Sequence, residues 1–178
     1  MNEQPVPTLT TQRLRLQMLR LADAPALHAL YQGAEVLRYF PNPQPPALEK
    51  VERFIAGQAA HWARHACGNW GVWLAEELIG WAGLQVLPEL EQATEVGFLL
   101  GRPFWGRGYA TEAARAALQD GFERLGLGQI IALVHPGNTA SQRVLAKCGM
   151  GYVRTLFLWG LDLQYYQLEA ENFLREGA

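Results

Sequence analysis

Cysteine is scarce: the chain has two, Cys67 and Cys148, and neither stands at metal-ligand spacing from the other, so no zinc ribbon or disulfide framework is expected. No run of basic residues is long enough to neutralise a row of nucleic-acid phosphates, and the formal net charge is only -2, which speaks against a nucleic-acid partner. Also missing is any stretch of about 20 apolar residues, and residues 1–10 are polar and proline-bearing, so neither a membrane span nor an export signal is expected. Internal repeats and low-complexity tracts are absent as well. These absences leave a reducing, cytoplasmic protein as the expectation. With 178 residues, 49% of them hydrophobic, the chain suffices for a single domain over 1–178 with a full core.

Alternation supplies the first positive signal. Leu14, Leu16 and Met18 interleave with Arg13, Arg15 and Gln17, the period of a half-buried strand. A helix capped by Asp23, with Pro25 in its first turn, is expected to run to about Tyr31. Four prolines make residues 41–46 a loop. Leu48, Val51, Ile55, Ala59 and Trp62 then mark the apolar face of a second helix.

Residues 70–75 and 78–86 read as a hairpin turning at Glu76 and Glu77, and 94–100 as a further strand with Val96, Phe98 and Leu100 on one face. A helix from Ala110 to about Leu125 carries apolar residues at helical period. The nearly continuous apolar run 129–135 predicts a strand buried on both faces. Asn138 suits the cap of a short helix ended by Gly149, and two strands, 152–159 and 161–168, turn at Gly160. The order predicts an α/β (α+β) fold, a mixed sheet flanked by helices.

The chemical signal lies at Trp105-Gly106-Arg107-Gly108-Tyr109-Ala110-Thr111, between a strand end and a helix start. A helix N-terminus offers unpartnered N–H groups and a positive dipole end, glycines admit an anion close to the backbone, and Arg107 adds a phosphate-seeking charge. A pyrophosphate is the expected guest, against the plainer reading of a tight turn. A dinucleotide fold lacks its βαβ repeat and acidic partner here, and a P-loop lacks its Lys-Ser/Thr pair.

In this segment, in the opening strand Thr11-Gln12-Arg13-Leu14-Arg15-Leu16, in Glu95-Val96-Gly97-Phe98, and in Asn138-Thr139-Ala140-Ser141 with Lys147-Cys148-Gly149-Met150, the sequence resembles the GNAT N-acetyltransferases. The likeness is to the branch that acetylates N-termini of ribosomal proteins, and it covers nearly the whole chain. It implies a mostly antiparallel sheet of about seven strands with four helices, splayed between the fourth and fifth strands, 94–100 and 129–135. It also implies acetyl-CoA as co-substrate, no metal, and a primary amine as acceptor, either a protein N-terminus or a small molecule.

By the same resemblance, acetyl-CoA would be bound by Phe98, Leu99, Leu100, Trp105, Gly106, Arg107, Gly108, Tyr109, Ala110, Thr111, Asn138 and Ser141. Glu95 would act as general base and Ser141 as donor to the departing sulfur. Leu145 stands where the wider family often has a tyrosine acid, and Trp105 fills the first place of the family's Q/R-x-x-G-x-G/A loop. Alternatives stay open. His135 or water competes with Glu95 as base, and Ser141 and Asn138 can be simple helix-start residues. The tryptophans default to core packing, while Tyr165 and Tyr166 are possible neighbours of the amine site. Acceptor loops are expected at 32–46 and 88–92. A non-catalytic acyl-CoA-binding module is the rival function, and a homodimer through sheet edges is possible.

Overall fold

The computed structural model describes residues 6–33 and 35–176. Its sheet has eight strands in the order β1-β2-β3-β4-β5-β6-β8-β7: β1 Leu9–Thr10, β2 Leu14–Met18, β3 Asn69–Leu74, β4 Glu77–Leu87, β5 Ala93–Leu100, β6 Gln129–Val134, β7 Gly151–Leu158 and β8 Leu161–Glu169. Five helices accompany it: α1 Ala24–Tyr31, α2 Leu48–His65, α3 Tyr109–Gln119, α4 Thr139–Lys147 and α5 Ala170–Glu176. The two-residue β1 and the C-terminal α5 exceed the seven strands and four helices expected, because both are too short to show a period.

Every strand pairing is antiparallel except β5 with β6, which run parallel and share a single register pair, Glu95 with Ile131. Beyond that pair the two strands separate. The split falls between the two strands that the sequence resemblance named, now the fifth and sixth because β1 precedes them.

Side chains on the two faces of β5 feed different cores. Val96 and Leu100 join the larger cluster with Ala113, Ala117 and Leu118 of α3 and Leu145 of α4. Leu99 joins the second cluster with Leu27 of α1 and Val51 and Ile55 of α2. Three alanines of α3, at 113, 114 and 117, are fully buried, and their small size lets this helix lie close on the sheet.

Three local expectations are corrected. Asp23 does not cap α1 with its side chain; its carboxylate accepts the N–H of Arg20 at 2.7 Å, closing the short turn before the helix. Ala59 is exposed, and Gln58 takes the buried place on α2, where its Oε1 accepts the N–H of Asn69 at 2.8 Å. The helix of α3 does not reach Leu125 as a regular helix. Residues Asp120–Arg124 form a π-turn in which Leu125 N–H donates to Asp120 C=O at 3.2 Å, and Arg124 clamps the Asp120 carboxylate at 2.6 Å.

Candidate active site

A cleft of about 500 Å³ opens where β5 and β6 part, between the N-termini of α3 and α4. Phe98, Leu99 and Leu100 line it from the sheet, Trp105, Gly106, Gly108, Tyr109, Ala110 and Thr111 from the turn into α3, and Asn138 and Ser141 from α4. The turn is glycine-dependent. Gly106 and Gly108 have φ of 74° and 81°, the left-handed region that side chains resist. A Cβ on Gly108 would also come within 3.3 Å of the Arg13 guanidinium.

Arg107 departs from expectation. Its side chain is exposed and does not line the cleft, while its carbonyl accepts a hydrogen bond from Arg13 at 2.9 Å. The cationic lining comes instead from Arg38, Arg102, Arg143 and Lys147. Glu35, the acid among the described lining residues, already pairs with Arg102 and Arg38 at 3.6 and 3.4 Å. Arg143 and Lys147 are separated by one helical turn on α4, a spacing visible in the sequence but unweighted without the cleft.

Gly101 N–H donates to Ile79 C=O at 2.9 Å, which fixes the phase of the β4–β5 ladder. By alternation, Phe98 and Leu100 turn their backbone groups away from β4, toward the split. The Leu100 carbonyl is taken by Trp105 Nε1 at 2.7 Å, and the Trp105 ring lies under the Arg102 guanidinium. Trp105, one of the residues expected in the acetyl-CoA loop, is 38% exposed and lines the cleft.

On the far side of the split is a second pocket, of about 260 Å³, sharing Tyr39, Phe40, Phe98, Asn138 and Ser141 with the first. Glu95 sits in its floor. Its Oε1 accepts the N–H of Leu133 at 3.2 Å, so a side chain supplies the bridge that the parting backbones no longer make. Burial outweighs that bond and raises the Glu95 carboxyl to about 7.

His135 also lines this pocket, stacked on Tyr39. Its Nδ1 accepts the N–H of Gly137 at 3.0 Å, which requires a bare Nδ1. In the neutral ring the proton is then on Nε2, a donor rather than a base. Ser141 gives its N–H to the Asn138 side chain at 3.1 Å, so Asn138 caps α4, and among the described residues the serine hydroxyl takes no partner.

Aromatic rings form much of the rest of this pocket, with Asn69 and Gln85 as further polar lining. Tyr39 and Phe40 reach it from the loop before α2, but residues 88–92 do not. Trp81 is held by donating its Nε1 to Tyr31 at 2.9 Å, and burial raises the Tyr31 hydroxyl to about 12. Tyr165 and Tyr166 lie elsewhere, and Trp159, Leu161 and Leu163 form the β8 side. Trp159 was not expected here, and nothing in its sequence position distinguished it from a core tryptophan.

Neither thiol is poised for nucleophilic work. Both are buried, and desolvation pushes Cys67 and Cys148 up to about 11. Among the described residues no group of three or more His, Cys, Asp or Glu side chains is placed to hold a metal, and no helix is long and apolar enough to cross a membrane.

Comparison with known proteins agrees with this geometry. Residues 13–151 match the family model of the acetyltransferase (GNAT) domain. The chain is 32% identical over 174 residues to the uncharacterized protein YkkB of Bacillus subtilis, an alignment covering 92% of this chain and 96% of that one. The crystal structure of a GNAT-family acetyltransferase from Bacillus anthracis superposes with a TM-score of 0.80 at 26% identity, covering 93% of this chain and 99% of that one. The ribosomal-protein acetyltransferase RimL in complex with coenzyme A shares the fold, with a TM-score of 0.79 at 18% identity over 93% of this chain and 98% of that one. The chain therefore belongs to the GNAT acetyltransferases.

Proposed function

We propose that the protein transfers an acetyl group from acetyl-CoA to a primary amine by direct attack, with residues 1–178 acting as one transferase unit. The observation that carries this is the split sheet, with a cation-lined cleft on one side, a carboxyl-floored pocket on the other, and Tyr39, Phe40, Phe98, Asn138 and Ser141 between them.

The residues suit the diphosphate of a CoA thioester. Arg102, Arg143 and Lys147 supply charge, and the first N–H groups of α3 supply donors at the positive end of its dipole. The backbone groups of Phe98 and the N–H of Leu100 face the place where an amide-bearing arm would lie along the split.

The chemistry balances without a covalent enzyme intermediate. The amine nitrogen uses its lone pair to attack the thioester carbonyl while its proton passes to Glu95, directly or through water. A backbone N–H holds the developing oxyanion. The C–S bond then breaks, the Ser141 hydroxyl donates a hydrogen bond to the leaving thiolate, and the thiolate takes its proton from water as Glu95 releases to solvent the proton it accepted. With its carboxyl near 7, Glu95 is half ionised at neutral pH, which suits a base that must also release its proton.

One observation favours a second reading, an acyl-CoA-binding module without catalysis: the Glu95 carboxylate is already engaged with Leu133. A thiol-release assay with acetyl-CoA against N-terminal peptides and small amines separates the two. Release that depends on an amine is expected, whereas tight acetyl-CoA binding with no release against any amine would favour the module.

A further inference from the structure

The turn between β7 and β8 holds an anomaly. Leu158 pairs with Leu161, so Trp159 and Gly160 are the two central residues of a tight hairpin turn, with φ of 52° and 80°. Such turns favour Asn, Asp or Gly at the first central position, because a bulky side chain there is strained. A tryptophan stands there nonetheless, 45% exposed, and it lines the pocket that holds Glu95. Phe40, 38% exposed, lines the same pocket and also the neighbouring cleft.

Neither ring is accounted for by the core. Trp81 and Leu163 extend the apolar lining inward. Among the described lining residues Glu95 is the one carboxylate, so a second positive charge on an acceptor would find no counter-ion there.

From this we infer that Trp159 is a specificity-determining residue, and that the acceptor is a monoamine carried on an apolar or aromatic body. The body packs against Trp159 and Phe40 while the amino group reaches Glu95. Di- and polyamines are disfavoured, since the far ammonium would be desolvated without a partner. The inference rests on the transferase reading for what the pocket binds, but its test does not depend on turnover.

Calorimetry on the full chain saturated with CoA compares 2-phenylethylamine with 1,4-diaminobutane and ethanolamine, for the wild type, W159N and W159F. Phenylethylamine is expected to bind at least tenfold tighter than the other two. W159N, whose asparagine suits the turn, is expected to keep its melting temperature and CoA affinity and to lose that preference, and W159F to retain most of it. Equal or tighter binding of the diamine, the result expected if the aromatic faces hold a second cation, overturns the assignment. So does an undiminished preference in W159N. Thiol release run in parallel separates the two proposals: selective binding without turnover sinks the transferase reading alone, and turnover that favours diamines sinks the Trp159 assignment alone.

Discussion

Arg13 and Glu112 meet at 2.6 Å and join the start of β2 to the first turn of α3. Glu112 also accepts hydrogen bonds from the Thr11 hydroxyl at 2.6 Å and the Arg13 N–H at 2.8 Å. The same guanidinium bonds the Arg107 carbonyl and lies 4.6 Å from the centre of the Tyr109 ring, so one arginine braces the whole turn that enters the helix.

Replacing that brace separates positioning from direct binding. Arg13→Ala is expected to lower acetyl-CoA affinity about tenfold in calorimetry, although Arg13 itself contributes no charge to the Arg102 side of the cleft. Because Arg13 is partly exposed, the stability cost should stay near 1 kcal/mol. Burial pushes the Glu112 carboxyl up, but the bonds from Thr11 and Arg13 outweigh it and hold it below the usual range. The stabilisation it provides is therefore present at neutral pH and lost as pH falls through its lowered value. Acid melting curves of wild type and Glu112→Gln should converge at low pH.

Glu95 predicts the opposite slope. Its carboxyl is raised to about 7, so its contribution to stability is full below the ordinary glutamate range and fades as pH climbs through 7. Between roughly pH 4 and 8 the loss should be about 2–3 kcal/mol, and Glu95→Gln should flatten it. Turnover should rise over the same window, with an apparent midpoint near 7 that vanishes in the variant. A wild-type rate insensitive to pH there would remove Glu95 as base.

Gly108→Val puts a β-branched residue at φ 81° beside Arg13 and should abolish acetyl-CoA binding. Retained affinity in calorimetry would show that this turn does not carry the phosphates.

Ser141→Ala removes a hydroxyl that takes no partner among the described residues but leaves the N–H bonded to Asn138. The expected result is a drop in kcat of ten- to a hundredfold with acetyl-CoA affinity nearly unchanged, read by stopped-flow thiol release. An unaltered kcat would leave Ser141 as a helix-start residue only.

Much of the scaffold was legible because its signals are local. The glycines at 106 and 108, the apolar period of α3 and the Asn138 cap each mark a backbone requirement that neighbours in sequence reveal. What stayed hidden depends on distance in sequence. Arg143 and Lys147 became cleft residues only once α4 was folded against the turn into α3, and Arg107, the charge beside the glycines, is exposed and outside the cleft lining. Trp159 read as one more buried tryptophan, since strain at a turn is a property of φ and not of composition.

The shared walls between the two pockets have a kinetic corollary. If acetyl-CoA fills the larger cleft and the amine the smaller pocket, both can be bound at once, and neither must depart to admit the other. Initial-rate plots should therefore intersect rather than run parallel, with free CoA competing against the acetyl donor but not against the amine.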